Sequence, residues 1–209
     1  MTAAETRANG RLDARRQPGQ DRSRARVEQI LEAAMDLIGR RGADNVTISN
    51  IAEQAEMSGA SVYRYFPSKQ AIIRRLAVDH YARTRTNLEN GLQGADENIK
   101  EVLLEGLRSY INLHQLDPYP AQLRAAVQAD PDLAPLDLQD TRDNADLVAS
   151  VLRQQLDLAD DRTLERRLIL VFELLDGVIY LATRIPPIEA KAIVDDFISI
   201  ADGHIFGGL

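Results

Sequence analysis

Ser58, Gly59, Ala60 and Ser61 precede Tyr63, Arg64 and Tyr65, and Lys69 follows four residues later. Small side chains at the first turn of a short helix let its backbone approach base edges in a major groove, and the hydroxyl and guanidinium groups behind them reach phosphates. Arg64 has the further option of a guanine edge. Lys69, at the start of the next helix, adds a cation to free backbone N–H groups, which together attract an anion. These spacings suit the binding of a polyanion.

Several short helices must position those residues. Val27, Ile30, Leu31, Ala34 and Ile38 recur at 3.6-residue spacing, and Gly42 supplies a stop. Ile48, Ile51, Ala52 and Ala55 form a second period of about two turns, opened by Thr47 as a cap. Ser58 caps a third helix that Pro67 closes at Phe66, and Ser68 caps a longer one running toward Asn90 and Gly91. Two short helices joined by a tight turn make a helix-turn-helix. Ala52 is small where they cross, and Ile48, Ile51, Val62 and Phe66 offer the apolar contacts that fix the crossing.

The run Thr47-Ile48-Ser49-Asn50-Ile51-Ala52-Glu53-Gln54-Ala55, then Ser58, then Ser61-Val62-Tyr63-Arg64-Tyr65-Phe66-Pro67-Ser68-Lys69 resembles the head of the tetracycline-repressor (TetR) family. The resemblance covers Val27 to Leu76. It implies three N-terminal helices for DNA, a C-terminal domain for ligand binding and dimerisation, and repression released by a small molecule. It also implies that Thr47 and Ser49 lie at the start of the first motif helix, facing the DNA backbone. Ser58, Gly59, Ala60 and Ser61 would then begin the recognition helix, with Tyr63, Tyr65 and Lys69 on phosphates and Arg64 on either phosphate or base. Glu56 stands where the family usually has glycine, and a left-handed backbone there costs about 1 kcal/mol.

Charge is divided along the chain. The net charge is −7, yet residues 1–85 carry fifteen Lys or Arg against ten Asp or Glu, and residues 86–209 carry ten against twenty-two. A basic module on an acidic body is the layout of a DNA-binding head with a regulatory domain. Residues 1–21, polar and Arg-rich without helical period, read as a disordered basic arm, 22–70 as the helix-turn-helix domain and 71–209 as the regulatory and dimerisation domain. The chain has no cysteine, which excludes disulfides, thiolate metal sites and a cysteine nucleophile. Its apolar runs, such as Leu168 to Phe172, are far shorter than the roughly 18 residues a membrane helix needs. With no h-region behind the N-terminus, the expected location is the cytoplasm, without membrane association.

The body carries no alternating strand pattern, so the fold class is all-α, with helices expected at 96–116, 120–129, 139–156, 163–184 and 187–204. A ligand cavity among them would draw on Leu103, Leu107, Tyr110, Ile111, Tyr119, Leu123, Val127, Phe172 and Leu175, with Arg108, His114 and Tyr180 as polar anchors, although in a bundle each such position is more often plain core. Leu168 and Val171, the helix-weakening Gly177, and Ile193, Val194, Phe197, Ile198 and Ala201 give two apolar helices suited to a four-helix dimer interface, or to the intra-chain core.

His80, His114 and His204 are isolated, which argues against a metal site, and Asp130, Asp132, Asp137, Asp140, Asp143 and Asp146 lack calcium-loop spacing and read as a solvated loop and helix cap. No phosphate loop, nucleophile elbow or nucleophile–base pair is present, so no catalytic residue or cofactor is expected. The reading is a homodimeric transcriptional regulator, a repressor released from a palindromic double-stranded operator by a small apolar or aromatic effector. The alternatives are an effector-independent DNA-binding regulator, or a small-molecule-binding protein with weak DNA affinity.

Overall fold

The computed structural model describes residues 18–93, 98–158 and 162–207. Among these, every long element is an α-helix: α1 Pro18–Arg41, α2 Ile48–Gln54, α3 Gly59–Tyr65, α4 Lys69–Leu92, α5 Ile99–Leu116, α6 Tyr119–Gln128, α7 Ala134–Leu156, α8 Thr163–Ala182 and α9 Pro187–Phe206. A single 3₁₀ turn, Ala43–Asn45, follows α1.

Apolar spacing and local chemistry account for these limits. Gly42 stops α1 with φ 74°, a left-handed backbone that glycine adopts without penalty. Helix α1 already begins at Pro18, so residues 18–21 of the expected arm are helical, while residues 1–17 lie outside the described residues. Proline suits a first turn because its missing N–H would have no partner there. The same rule explains why α7 opens at Ala134 and not at Gln139: Pro135, which reads as a loop residue, sits in the first turn.

Packing divides the helices into two cores. One is built by Leu103, Leu107 and Ile111 of α5 with the inner faces of α7, α8 and α9. The other holds Ile30, Ala34 and Ile38 of α1, Ile51 and Ala52 of α2, Val62 and Phe66, and the start of α4 through Ile72, Ile73 and Leu76. Tyr119, Leu123 and Val127 of α6 belong to this second core. Helix α6 lies so close to α1 that a Cβ on Gly39 would stand 3.2 Å from Tyr119 Cβ. The head is therefore completed by a helix from the body's sequence, and the 70/71 boundary falls inside α4, whose two ends serve different cores.

Candidate nucleic-acid interface

Reciprocal capping fixes the start of α2. Thr47 Oγ1 accepts the Asn50 N–H at 3.2 Å, and Asn50 Oδ1 accepts the Thr47 N–H at 3.0 Å. Helix α2 ends in a Schellman turn, with the Met57 N–H on the Ala52 carbonyl at 2.8 Å and the Glu56 N–H on Glu53 at 3.1 Å. Glu56 sits at its left-handed position with φ 52°, the conformation for which the family uses glycine. Ser58 Oγ then accepts the Ser61 N–H at 3.1 Å and lies 2.9 Å from Ser61 Oγ, so both hydroxyls take part in forming the helix start.

On the surface so formed, Thr47, Ser49, Ser58, Ala60 and Arg64 are exposed, Gly59 has open space where a side chain would be, and Tyr63 is 57% exposed. Arg64 donates to the Tyr65 hydroxyl at 3.1 Å and lies against its ring, which preorganises the guanidinium along the helix. Lys69 Nζ donates to the Ala43 carbonyl at 2.9 Å, an anchor that sequence reading missed because the partner lies on the turn after α1. Thr47, Ser49, Tyr63 and Lys69 come together around one open cleft of about 390 Å³, with Ser68 beside them at the N-terminus of α4.

The residues grouped as a ligand cavity are divided between the two cores and the surface. Leu103, Leu107, Ile111 and Leu175 are buried in the body core, with Tyr110 and Phe172 at its margin, whereas Tyr119, Leu123 and Val127 pack in the head core. Tyr180 is 61% exposed beneath Arg184. Arg108 pairs with Asp195 and lines a separate cleft of about 560 Å³ between α5 and the start of α9. His114 is buried, stacks on Tyr110 with ring centroids 4.0 Å apart, and burial lowers its pKa.

The grouping also missed a polar network where α4, α6, α7 and α8 meet. Asp137, only 6% exposed, accepts bonds from Tyr81 at 2.9 Å, from Arg124 Nε at 2.8 Å and from Gln128 at 2.8 Å. Arg124 also pairs with Glu173 at 3.2 Å and with Asp176. The solvated-loop reading therefore fails for Asp137. Asp137, Thr141 and Asn144 fall three and four residues apart, a polar stripe at helical spacing that marks a buried face when read with Ala145 and Val148.

The apolar residues assigned to a dimer interface mostly face inward. Leu168, Val171, Val194, Phe197, Ile198 and Ala201 are each 9% exposed or less within the single chain, because the body core needs one face of both helices. Ile193 is partly exposed, and Gly177 opens to empty space. The outward face of α8 carries Leu170, Leu174, Gly177 and Leu181, and Ile200 of α9 is exposed as well.

A capped helix-turn-helix presented by a small head on a helical bundle defines a DNA-binding regulator class. Residues 30–76 match the bacterial regulatory proteins of the tetR family, and residues 97–204 match the tetracyclin repressor-like C-terminal domain. The chain belongs to the TetR family. It is similar to the HTH-type transcriptional regulator AlkX of Mycobacterium tuberculosis, 31% identical over 123 residues and covering 58% of each chain. It is also similar to the regulator YvdT of Bacillus subtilis, 35% identical over 78 residues, 37% of this chain and 40% of that one. The matched segments thus span less than two thirds of either relative. The crystal structure of FadR from Bacillus subtilis in complex with stearoyl-CoA superposes with a TM-score of 0.68 at 18% identity, over 86% of this chain and 98% of that one, a likeness of fold. No helix among the described residues is long and apolar enough to cross a membrane.

Proposed function

We propose that the protein is a homodimeric, cytoplasmic transcriptional repressor that reads a palindromic operator and releases it when a small molecule with an apolar or aromatic body binds the helical domain. The observation that carries this reading is the convergence of Thr47, Ser49, Tyr63 and Lys69 on one open cleft beside the exposed start of α3. In this reading the cleft holds a phosphate, and Ser58 through Ser61 enter the major groove. A single small head buries too little surface for tight specific binding, which favours two heads on one site. The outward stripe of α8, extended by Ile200, supplies an apolar face for the second copy. Control by a small molecule is supported by family membership and by the stearoyl-CoA bound to FadR. Helix α6, with one face in the head core and Arg124 on the body carboxylates, supplies a route from such a ligand to the head.

Selection of bound sequences from a random DNA pool tests the reading. A paired-half-site consensus, with half-sites about one helical turn apart or a multiple of it, is the expected result. Failure to enrich any site would overturn it.

A further inference from the structure

The cleft between α5 and the start of α9, about 560 Å³, has a volume within the roughly 300–1,000 Å³ of small-molecule sites. Its floor is apolar. Ala182 at the end of α8, with Ala190 and Val194 on the first turns of α9, is buried in the body core, and two of these three side chains are single methyl groups, which leaves the space open. The polar lining carries charge of one sign. Arg108, Asn112 and Gln115 fall at i, i+4 and i+7 and so share a face of α5, and Lys191 joins them from α9. Among the described residues, no carboxylate lines the cleft. Asp195, outside the lining, serves both cations: Arg108 pairs with one oxygen through Nη1, and Lys191 donates to the other at 3.0 Å. Glu105, the other carboxylate near Arg108, stands 3.9 Å from its Nε, beyond a hydrogen bond, and is 71% exposed.

Two cations at the wall of a cleft repel a cationic ligand and attract an anionic one, and the planar fork of a guanidinium matches a carboxylate better than any other small anion except phosphate. The apolar floor then selects for a carbon body attached to that anion. We propose that this cleft binds a compact organic carboxylate, an aryl carboxylate, with the anion on Arg108 and Lys191 and the ring on Ala182, Ala190 and Val194. The proposal rests on the reading of the body as a sensor and names the chemistry it senses. The carboxamides of Asn112 and Gln115, which make no side-chain hydrogen bond to another described residue, supply further donors to the anion. The ligand carboxylate competes with Asp195 for the same two cations. Occupancy is therefore linked to the Arg108–Asp195 pair, one of the ion pairs that join α5 to α9.

Calorimetric titration of the full chain with 2-naphthoate, and with its neutral isostere 2-naphthamide, tests the site. The carboxylate is expected to bind at least about tenfold more tightly than the amide, a difference of about 1.4 kcal/mol. Arg108→Gln should abolish that preference and Lys191→Gln should reduce it, while Asp195→Asn, which frees both cations, should enlarge it. Equal binding of the two compounds to the unmodified protein, or binding of neither, overturns the proposal whether or not any variant folds. A preference that Arg108→Gln and Asp195→Asn both leave unchanged places the carboxylate elsewhere and overturns it too. Operator titration separates the site from the sensor reading. If naphthoate binds with the expected preference and the operator affinity does not change, the site stands and control of DNA binding by this ligand falls.

Discussion

Tyr81 on α4 donates its hydroxyl to Asp137 Oδ1 on α7 at 2.9 Å, the same oxygen that Arg124 of α6 holds at 2.8 Å. One buried carboxylate thereby ties the helix that leaves the head to the helix that completes the head core. Burial and the neighbouring Asp137 charge raise the Tyr81 pKa, so the phenol remains a donor throughout the ordinary pH range.

Removing that donor alone separates the two ties. Tyr81→Phe should destabilise the protein by about 1–2 kcal/mol, since Asp137 keeps its bonds from Arg124 and Gln128. Asp137→Asn should do more damage, because an amide nitrogen then faces donors. Chemical denaturation of both variants and the double variant gives the coupling between Tyr81 and Asp137. A coupling near zero would show that α4 and α7 are held by apolar packing.

Much of this fold was legible from residue order. Thr47, Ser58 and Ser68 announce three helix starts, and each caps as its residue type dictates. The body helices follow the apolar period closely, apart from the start of α7. What the period could not supply was the partner of each apolar face. Leu168 and Phe197 have the same pattern whether they face their own bundle or a second copy, and Tyr119 has the same pattern in either core. The Arg124 network was hidden for a different reason: its members come from four helices distant in sequence, and carboxylates near Pro135 look like a solvated loop.

The docking surface has a salt signature. Lys69→Ala should weaken binding to all DNA sequences and reduce the salt slope by about one per head, and it should also loosen the turn held through the Ala43 carbonyl. Tyr63→Ala should weaken binding without loosening that turn, since Tyr63 is mostly exposed. Arg64→Ala distinguishes base from backbone contact by whether preference is lost at one base pair. Unchanged DNA affinity in all three variants would sink the proposed face.

Glu56 holds a left-handed backbone at φ 52°, so Glu56→Gly should raise stability by about 0.5–1 kcal/mol even though glycine makes the unfolded chain more flexible. It also removes a negative charge near the DNA-facing turn. Thermal melts and operator titration should therefore both improve. A less stable Gly variant would mean that the Glu56 side chain contributes more than its backbone strain.

The assembly prediction follows from burial. Leu174→Glu and Gly177→Arg place charge on the outward face of α8 and should yield folded monomers in sedimentation. Phe197→Glu should instead unfold the body, because Phe197 is 5% exposed within its own chain and would bury a charge. Dimers that survive both outward substitutions would place the interface elsewhere.

Two sets of partly buried groups should oppose each other in the pH dependence of stability. Burial raises Asp140 to about 6, reinforced by Asp137 and Asp143 and offset by Arg124 and Arg85. Burial also raises Asp176 to about 6, offset by Arg124 and reinforced by Asp137 and Glu173. The native state binds these protons more tightly than the unfolded chain, so this contribution is fully present below the unfolded carboxylate range near pH 4 and is lost as pH rises through about 6. His80 is shifted the other way, to about 4, by burial first and then by His114 and Arg83, against Asp117. Its unfolded form takes up a proton near 6.5, so its contribution is present above that pH and is lost as pH falls toward 4. Between pH 4 and 6 the two effects have opposite slopes. Asp176→Asn should make stability rise more steeply with pH in that window, and His80→Phe should make it rise less steeply or fall. Denaturant titrations at half-unit pH steps would measure both slopes, and equal slopes in the two variants would refute the assignment of either set.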